Sequence, residues 1–295
     1  MNYAIISDST CDLNDEIRAK YDIDYVCMNY VIDDKEYPAK LNWQYHSPKE
    51  FYDLMRKGTR ITTTQVPREV FTEKFTSYLT EGKDVIYISC SSALSGSYNL
   101  ATLIAKELSK QFPDNKVYCV DSLISSFGQG GLAIIASQLR AEGKSAEEVA
   151  AFITENRLKM NQVGTTDTLE YLRRAGRVKA SKAFFGNLFG VKPIIISDVL
   201  GQNYAFKKAK GSLNAKIAIA EHLAQVVENP EEQILYISHA DNEESALQLE
   251  KLVLERVPFA GTHIGYIAPI VGSCVGPGTI IAFCYGKEVT IKGEE

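Results

Sequence analysis

The chain has 295 residues, of which 45% are hydrophobic and 23% charged, and its formal net charge is −5. That acidic balance excludes the basic footprint of a nucleic-acid binder, and no apolar run approaches the roughly 18 residues of a membrane span. The opening Met1-Asn2-Tyr3-Ala4-Ile5 enters a strand without the regions of a signal peptide, so a cytoplasmic protein is expected.

Ala4-Ile5-Ile6-Ser7 reads as a short buried strand that ends in the polar Asp8-Ser9-Thr10. A helix follows over 14–20, and 25–32 alternates like a strand up to a hairpin turn at Asp33-Asp34-Lys35. Ser47-Pro48 opens a helix, Ser as N-cap and Pro in the first turn, that stops near Gly58. Thr62-Thr63-Thr64-Gln65-Val66-Pro67 precedes a helix with the stripe Phe71, Phe75 and Leu79, ended by Gly82. These threonines fit an extended linker, yet they are more hydroxyls than one helix cap requires.

Val85-Ile86-Tyr87-Ile88 is the next buried strand. It runs into Ser89-Cys90-Ser91-Ser92-Ala93-Leu94-Ser95-Gly96-Ser97-Tyr98 and then a helix beginning near Ser95, with Leu100, Ala101, Ile104 and Leu108 at helical spacing. Such a junction directs free N–H groups and the positive helix end at one spot, which favours an anion. No lysine or arginine lies between Asp84 and Lys106, so neutral donors would hold it. The same serines are also ordinary N-cap chemistry, and both readings stand.

Lys116-Val117-Tyr118-Cys119-Val120 ends in Asp121-Ser122, repeating the strand-then-Asp-Ser pattern of the first strand. An apolar helix over 125–140 contains Gly130-Gly131, which allow close packing, and a further helix runs from Lys144-Ser145-Ala146 to about 160. This alternation predicts a parallel sheet covered on both faces, with ligands expected at the C-terminal strand ends. After Asn161 the pattern changes. Gln162-Val163-Gly164-Thr165-Thr166 leads to Leu169-Glu170-Tyr171-Leu172-Arg173-Arg174-Ala175-Gly176-Arg177, whose arginines suit a solvated helix end. Phe184, Phe185, Leu188 and Phe189 form an aromatic cluster read first as core. Strands are predicted at 192–196, 203–206, 234–238, 263–267 and 279–283, the last after Gly276-Pro277-Gly278, and helices at 211–227 and 243–256. The expected division is an α/β domain over 1–160 packed closely on an α+β domain over 161–295, with no linker between.

Six cysteines without a C-x-x-C pair and only four histidines argue against zinc, and free thiols are expected. There is no G-x-S-x-G, no G-x-x-x-x-G-K-[ST] and no G-x-G-x-x-G after the first strand. No cofactor is implied. His239, directly after a strand, is the best-placed histidine, and nothing activates a serine.

Ile6-Ser7-Asp8-Ser9-Thr10-Cys11-Asp12-Leu13, Thr63-Thr64-Gln65, the run from Ser91 to Tyr98, Val120-Asp121-Ser122, the arginine motif at 169–177, Lys192-Pro193-Ile194 and Gly276-Pro277-Gly278 together resemble the DegV family. The resemblance implies an N-terminal Rossmann-like parallel-sheet domain packed on a C-terminal α+β domain, with one long-chain fatty acid bound between them. It implies no catalysis by this chain alone. Its role would be the lipid-presenting subunit of a bacterial fatty acid kinase, offering the carboxylate to a separate ATP-binding kinase subunit that forms an acyl phosphate. By the same resemblance Thr63 and Ser95 bind the carboxylate, Gly96 adds an N–H, and Arg173 and Arg177 lie at the pocket mouth. Many family members place a histidine on the carboxylate just before Gly-Pro-Gly. Here Cys274 holds that position, a weak and neutral donor. Phe184, Phe185, Leu188, Phe189, Ile194 and Ile196 are candidate tunnel walls. Burial at about 0.8 kcal/mol per CH₂ makes the tail the source of affinity and the head group the source of orientation. No nucleic acid and no transmembrane segment are expected, with room for transient contact with a membrane surface. The alternative is a phosphoryl- or acyl-transfer enzyme that uses the hydroxyl loop at 91–97 as its anion site.

Overall fold

The computed structural model describes residues 2–180, 184 and 190–294. The first half runs β1 (Tyr3–Asp8), α1 (Asp15–Tyr21), β2 (Ile23–Val26), β3 (Asn29–Ile32), β4 (Lys35–Pro38), α2 (Pro48–Arg56), β5 (Thr62–Thr64), α3 (Arg68–Thr80), β6 (Asp84–Ser89), α4 (Ser97–Leu108), β7 (Val117–Asp121), α5 (Ser126–Ala141) and α6 (Ala146–Asn156). The second half runs β8 (Met160–Thr165), α7 (Glu170–Ala175), β9 (Val191–Ser197), β10 (Asn203–Lys210), α8 (Gly211–Val226), β11 (Ile234–His239), α9 (Glu243–Leu254), β12 (Gly261–Tyr266), α10 (Pro269–Val275) and β13 (Ile280–Tyr285). The fold is α/β.

A parallel sheet of order β2-β1-β6-β7 fills the first half. A mixed sheet of order β10-β9-β8-β13-β11-β12 fills the second, parallel only between β11 and β12. The helix α5 joins them: Phe127 near its start stacks on Tyr236 of β11 with ring centroids 3.7 Å apart. Gly130 makes its close approach feasible, because a Cβ there would lie 2.4 Å from the Cys11 carbonyl oxygen.

The expected strand at 25–32 is two strands. Val26 ends the buried parallel sheet and Asn29 begins a separate antiparallel one of order β4-β3-β5. The break is fastened by Ser9, whose N–H donates to Val26 O (3.0 Å) and whose Oγ accepts from Met28 N (2.9 Å). The threonine linker is itself a strand, with Thr63 opposite Tyr30. The helix expected to reach 160 stops at Asn156, and β8 follows as a wholly buried strand whose polar Asn161, Gln162 and Thr165 hid it from hydrophobic patterning. α10, absent from the sequence reading, begins with Pro269 after the N-cap Ala268. Its Gly272 lies under Tyr52, whose hydroxyl donates to Ile267 O at 2.6 Å. Beyond α10, Gly276 (φ 82°) sits beneath the Tyr171 ring of α7, where a Cβ would be 2.2 Å from Cδ2.

Side-chain alternation along β9 sends Ile194 and Ile196 into the core under α8 and α9, and Ile195 to the opposite face. The expected walls Ile194 and Ile196 are therefore core residues, displaced by the strand's parity. Phe184 is half-buried against the main core; Phe185, Leu188 and Phe189 lie outside the described residues.

Two aspartates position the loop after β6. Asp8, at the end of β1 on one side, is buried and accepts from Thr10 N (3.0 Å), Thr10 Oγ1 (2.5 Å), Tyr87 Oη (2.8 Å) and Cys90 N (2.9 Å). Asp121, at the end of β7 on the other side, accepts from Ser92 N (3.0 Å) and Leu123 N (3.2 Å). The repeated Asp-Ser pattern thus holds one loop from both flanks. Asp12 ties the halves elsewhere: it accepts from Ala268 N at 2.8 Å and from the Ser126 hydroxyl. Burial pushes its carboxyl up to about 7, against the hydrogen bonds from Ser126, Ala268 and Ser238.

Replacing Asp8 with Asn puts an N–H₂ among donors, and urea unfolding is expected to show a loss of about 2–4 kcal/mol. Asp12 binds its proton more tightly folded than unfolded, so stability falls as pH rises from about 4, the unfolded value, towards 7. Asp12→Asn is expected to remove a downward slope of up to about 1.4 kcal/mol per pH unit in that window, read from unfolding curves across the pH range.

Candidate functional site

The serine loop is built from its own hydrogen bonds. Ser91 N donates to Ile124 O (2.9 Å), and Ser95 N donates to Ser91 O (3.0 Å). Ser95 Oγ accepts from Ser97 N at 3.2 Å and gives its proton to Ser97 Oγ at 3.1 Å. This turn delays the helix, so α4 starts at Ser97 and not near Ser95. Ser97 Oγ also accepts from Val66 N (3.2 Å), which ties the segment after β5 to the start of α4. The N–H of Gly96, at the N-cap position of α4, has no acceptor among the described residues. A Cβ on Gly96 would lie 2.2 Å from Gln65 Oε1, so glycine lets the Gln65 side chain cover the loop.

A cavity of about 200 Å³ opens here, walled by residues of both halves. Thr63, Ser95, Gly96, Arg177 and Cys274 all lie on its wall. So do the apolar Leu94, Leu172, Ile270, Val271, Val275 and Ile281. A second cavity of about 250 Å³ shares Thr63, Arg177 and Cys274 with the first and is bordered by Arg60 and Arg174. A small third void shares Gln162, Leu172, Asn203, Val275 and Ile281 and reaches Ile195.

Arg177 follows Gly176, whose left-handed backbone (φ 69°) ends α7 and turns the chain back. The Arg177 Nε donates to Leu94 O at 3.1 Å, and no carboxylate pairs with the guanidinium among the described residues. Arg173 belongs to neither cavity. It leaves α7 on the exposed side and grips Glu170 through Nε and NH2, both at 2.8 Å. Arg174, one residue on around the helix, reaches the second cavity while also bonding Glu170 (2.7 Å). The two arginines hold the Glu170 carboxyl down at about 2.

The Cys274 thiol, enclosed by protein but facing both cavities, is pushed up by burial and stays neutral near pH 7. Thr63 Oγ1 has no partner among the described residues, whereas Thr64 Oγ1 donates to Glu36 (2.9 Å). Sequence reasoning missed Ser125, Gln162, Asn203, Ile270 and Val271 on the first wall. Gln162 left no signal in hydrophobic patterning, because its strand also holds the polar Asn161 and Thr165. No histidine lines either cavity: His239 lies tilted against the Tyr266 ring (centroids 4.5 Å, planes at 52°) and its Nδ1 accepts from Asn242 N (3.2 Å). Among the described residues no acidic, histidine or cysteine cluster could hold a metal, and no helix is long and apolar enough to cross a membrane.

Comparison with known proteins places this architecture. A DegV domain-containing protein of Clostridium perfringens is 34% identical over 284 residues, covering 96% of this chain and 97% of its own. The fold superposes with a TM-score of 0.88 on a DegV family protein of Thermus thermophilus described by its fatty acid binding, 27% identical and covering 97% of this chain and 100% of that one. DegV of Bacillus subtilis, described as a fatty acid binding protein, gives a TM-score of 0.81 at 26% identity, covering 97% and 99%. The model of the DegV family, described as uncharacterised proteins, matches residues 2–287. On that match and on the Clostridium perfringens relative, the chain belongs to the DegV family.

Proposed function

We propose that this protein binds one long-chain fatty acid in the first cavity. The observation that carries the reading is that hydroxyls, the Gly96 N–H and an arginine with no carboxylate partner among the described residues share one wall with a run of apolar side chains. Thr63, Ser95, the Gly96 N–H and Arg177 take the carboxylate, and Leu172, Ile270, Val275 and Ile281 take the tail. Ser95 can keep accepting from Ser97 N while its proton swings from Ser97 Oγ to the ligand. The fatty acid binding of the Thermus thermophilus and Bacillus subtilis proteins supports this.

The finer role is presentation. The second cavity meets the first at Thr63, Arg177 and Cys274 and carries Arg60 and Arg174, cations suited to a phosphoryl group arriving from a separate kinase subunit. The sequence supplies no nucleotide loop of its own. The ligand would lie between domains 1–160 and 161–295, because Thr10 and Ser125 of the first and Gln162 and Ile281 of the second line one cavity and the second sheet starts at Met160. The neutral Cys274 leaves Thr63, Ser95 and Arg177 to set the head group. Six free thiols suit a cytoplasmic setting.

Native mass spectrometry with solvent extraction of protein purified from bacteria is expected to show one fatty acid per chain. An empty cavity that also refuses palmitate overturns the proposal, and turnover of ATP or an acyl ester by the isolated chain would make the loop a transferase site. Ser95→Ala should weaken palmitate binding by about 1–3 kcal/mol in calorimetric titration, and unchanged affinity would reduce Ser95 to a cap.

A further inference from the structure

The cavity wall carries hydrogen-bonding groups that a carboxylate head and a plain alkyl tail leave unused. Ser125 is only 7% exposed and occupies the N-cap position of α5, yet it makes no side-chain cap bond. Its hydroxyl has no partner among the described residues. The neighbouring serines differ: Ser122 Oγ donates to Ile124 O (2.9 Å) and Ser126 Oγ donates to Asp12. Leu123 and Ser126, on either side, hold left-handed backbone at φ 54° and 56°. Such conformations persist where the surroundings over-determine them. Here Ser91 N bonds Ile124 O and Ser197 Oγ donates to Leu123 O (2.9 Å). The loop therefore fixes Ser125 on the cavity wall.

Gln162 of β8 is 6% exposed and lies on the same wall. Its Nε2 donates to Asn203 Oδ1 (3.0 Å), and Asn203 Nδ2 donates to Arg177 O (3.0 Å). This chain fixes which way both amides point. It leaves Gln162 Oε1 buried with no donor, an arrangement that native interiors rarely keep unless a ligand or water supplies one. Thr10, on the same wall, is already engaged by Asp8 and Gln129.

We propose that Ser125 and Gln162 recognise a hydroxyl on the ligand's acyl chain, so that the cavity selects a monohydroxylated long-chain fatty acid over its saturated parent. The match is chemical. A secondary hydroxyl donates one proton, which Gln162 Oε1 accepts, and offers lone pairs, to which Ser125 donates. A methylene satisfies neither group, and a ketone satisfies only Ser125. The inference rests on the fatty-acid reading of this same cavity and specifies its substrate.

The test is displacement titration of the full chain with palmitate and with a positional series of monohydroxylated palmitates. At one position the hydroxylated acid is expected to bind about threefold to tenfold more tightly than palmitate. Gln162→Leu and Ser125→Ala are each expected to bring that ratio below one. The ratio is read only where palmitate itself binds, so either variant suffices if the other does not fold. If every hydroxylated acid binds more weakly than palmitate, the proposal is wrong and the fatty-acid reading stands. A preference that survives both substitutions also overturns it, since the hydroxyl is then met elsewhere. If neither palmitate nor any hydroxylated acid binds, the fatty-acid reading itself fails and takes this inference with it.

Discussion

The site depends on one buried carboxylate. Asp8 collects two backbone N–H groups and two hydroxyls at the junction of β1 and β6, the central strands of the parallel sheet. A buried charge is tolerable only when its acceptor capacity is filled in this way. Filling it fixes the chain at Cys90, and Asp121 repeats the task at Ser92. With both ends of the turn held, the residues that follow cannot relax into a regular helix start. Among the described residues the Gly96 N–H has no acceptor, and the cavity forms against it.

Much of this was legible in the sequence because its causes are local. The β1, β6 and β7 strands are continuous apolar runs, and Ser47 and Ser145 were legible as helix starts, which the structure completes as capping boxes. The two Asp-Ser repeats were visible as a pattern, although their joint grip on one loop was not. What failed to show depended on tertiary context. β8 is buried with polar side chains, because Asn161 Nδ2 donates to the backbone at Lys159 and Lys287 and Gln162 Nε2 donates to Asn203 Oδ1. The cavity face of β9 is decided by the parity of its pairing, which no composition reveals. Arg173 and Arg174 both bond Glu170, yet only Arg174 reaches a cavity, a difference of one residue that the motif alone could not resolve.

The polar and apolar parts of the cavity wall have different origins. Arg177 supplies charge, while Thr63, Ser95 and Gly96 supply a threonine hydroxyl from β5 and the polar groups of the serine loop. The apolar part comes largely from α10 and β13, elements of the second half. A neutral Cys274 between the two cavities leaves the balance of charge to the arginines. The wall is thus assembled from parts with separate origins, and each is held by its own scaffold.

Gly276 beneath Tyr171 sets how far α7 stands from α10. A Cβ there would lie 2.2 Å from the ring, far inside van der Waals contact, so the gap between the two helices is kept by an atom that is missing. The faces that line the gap carry no such constraint. A residue such as Cys274 can therefore be replaced without closing the space around it, and the chemistry of the wall can change while the cavity keeps its width.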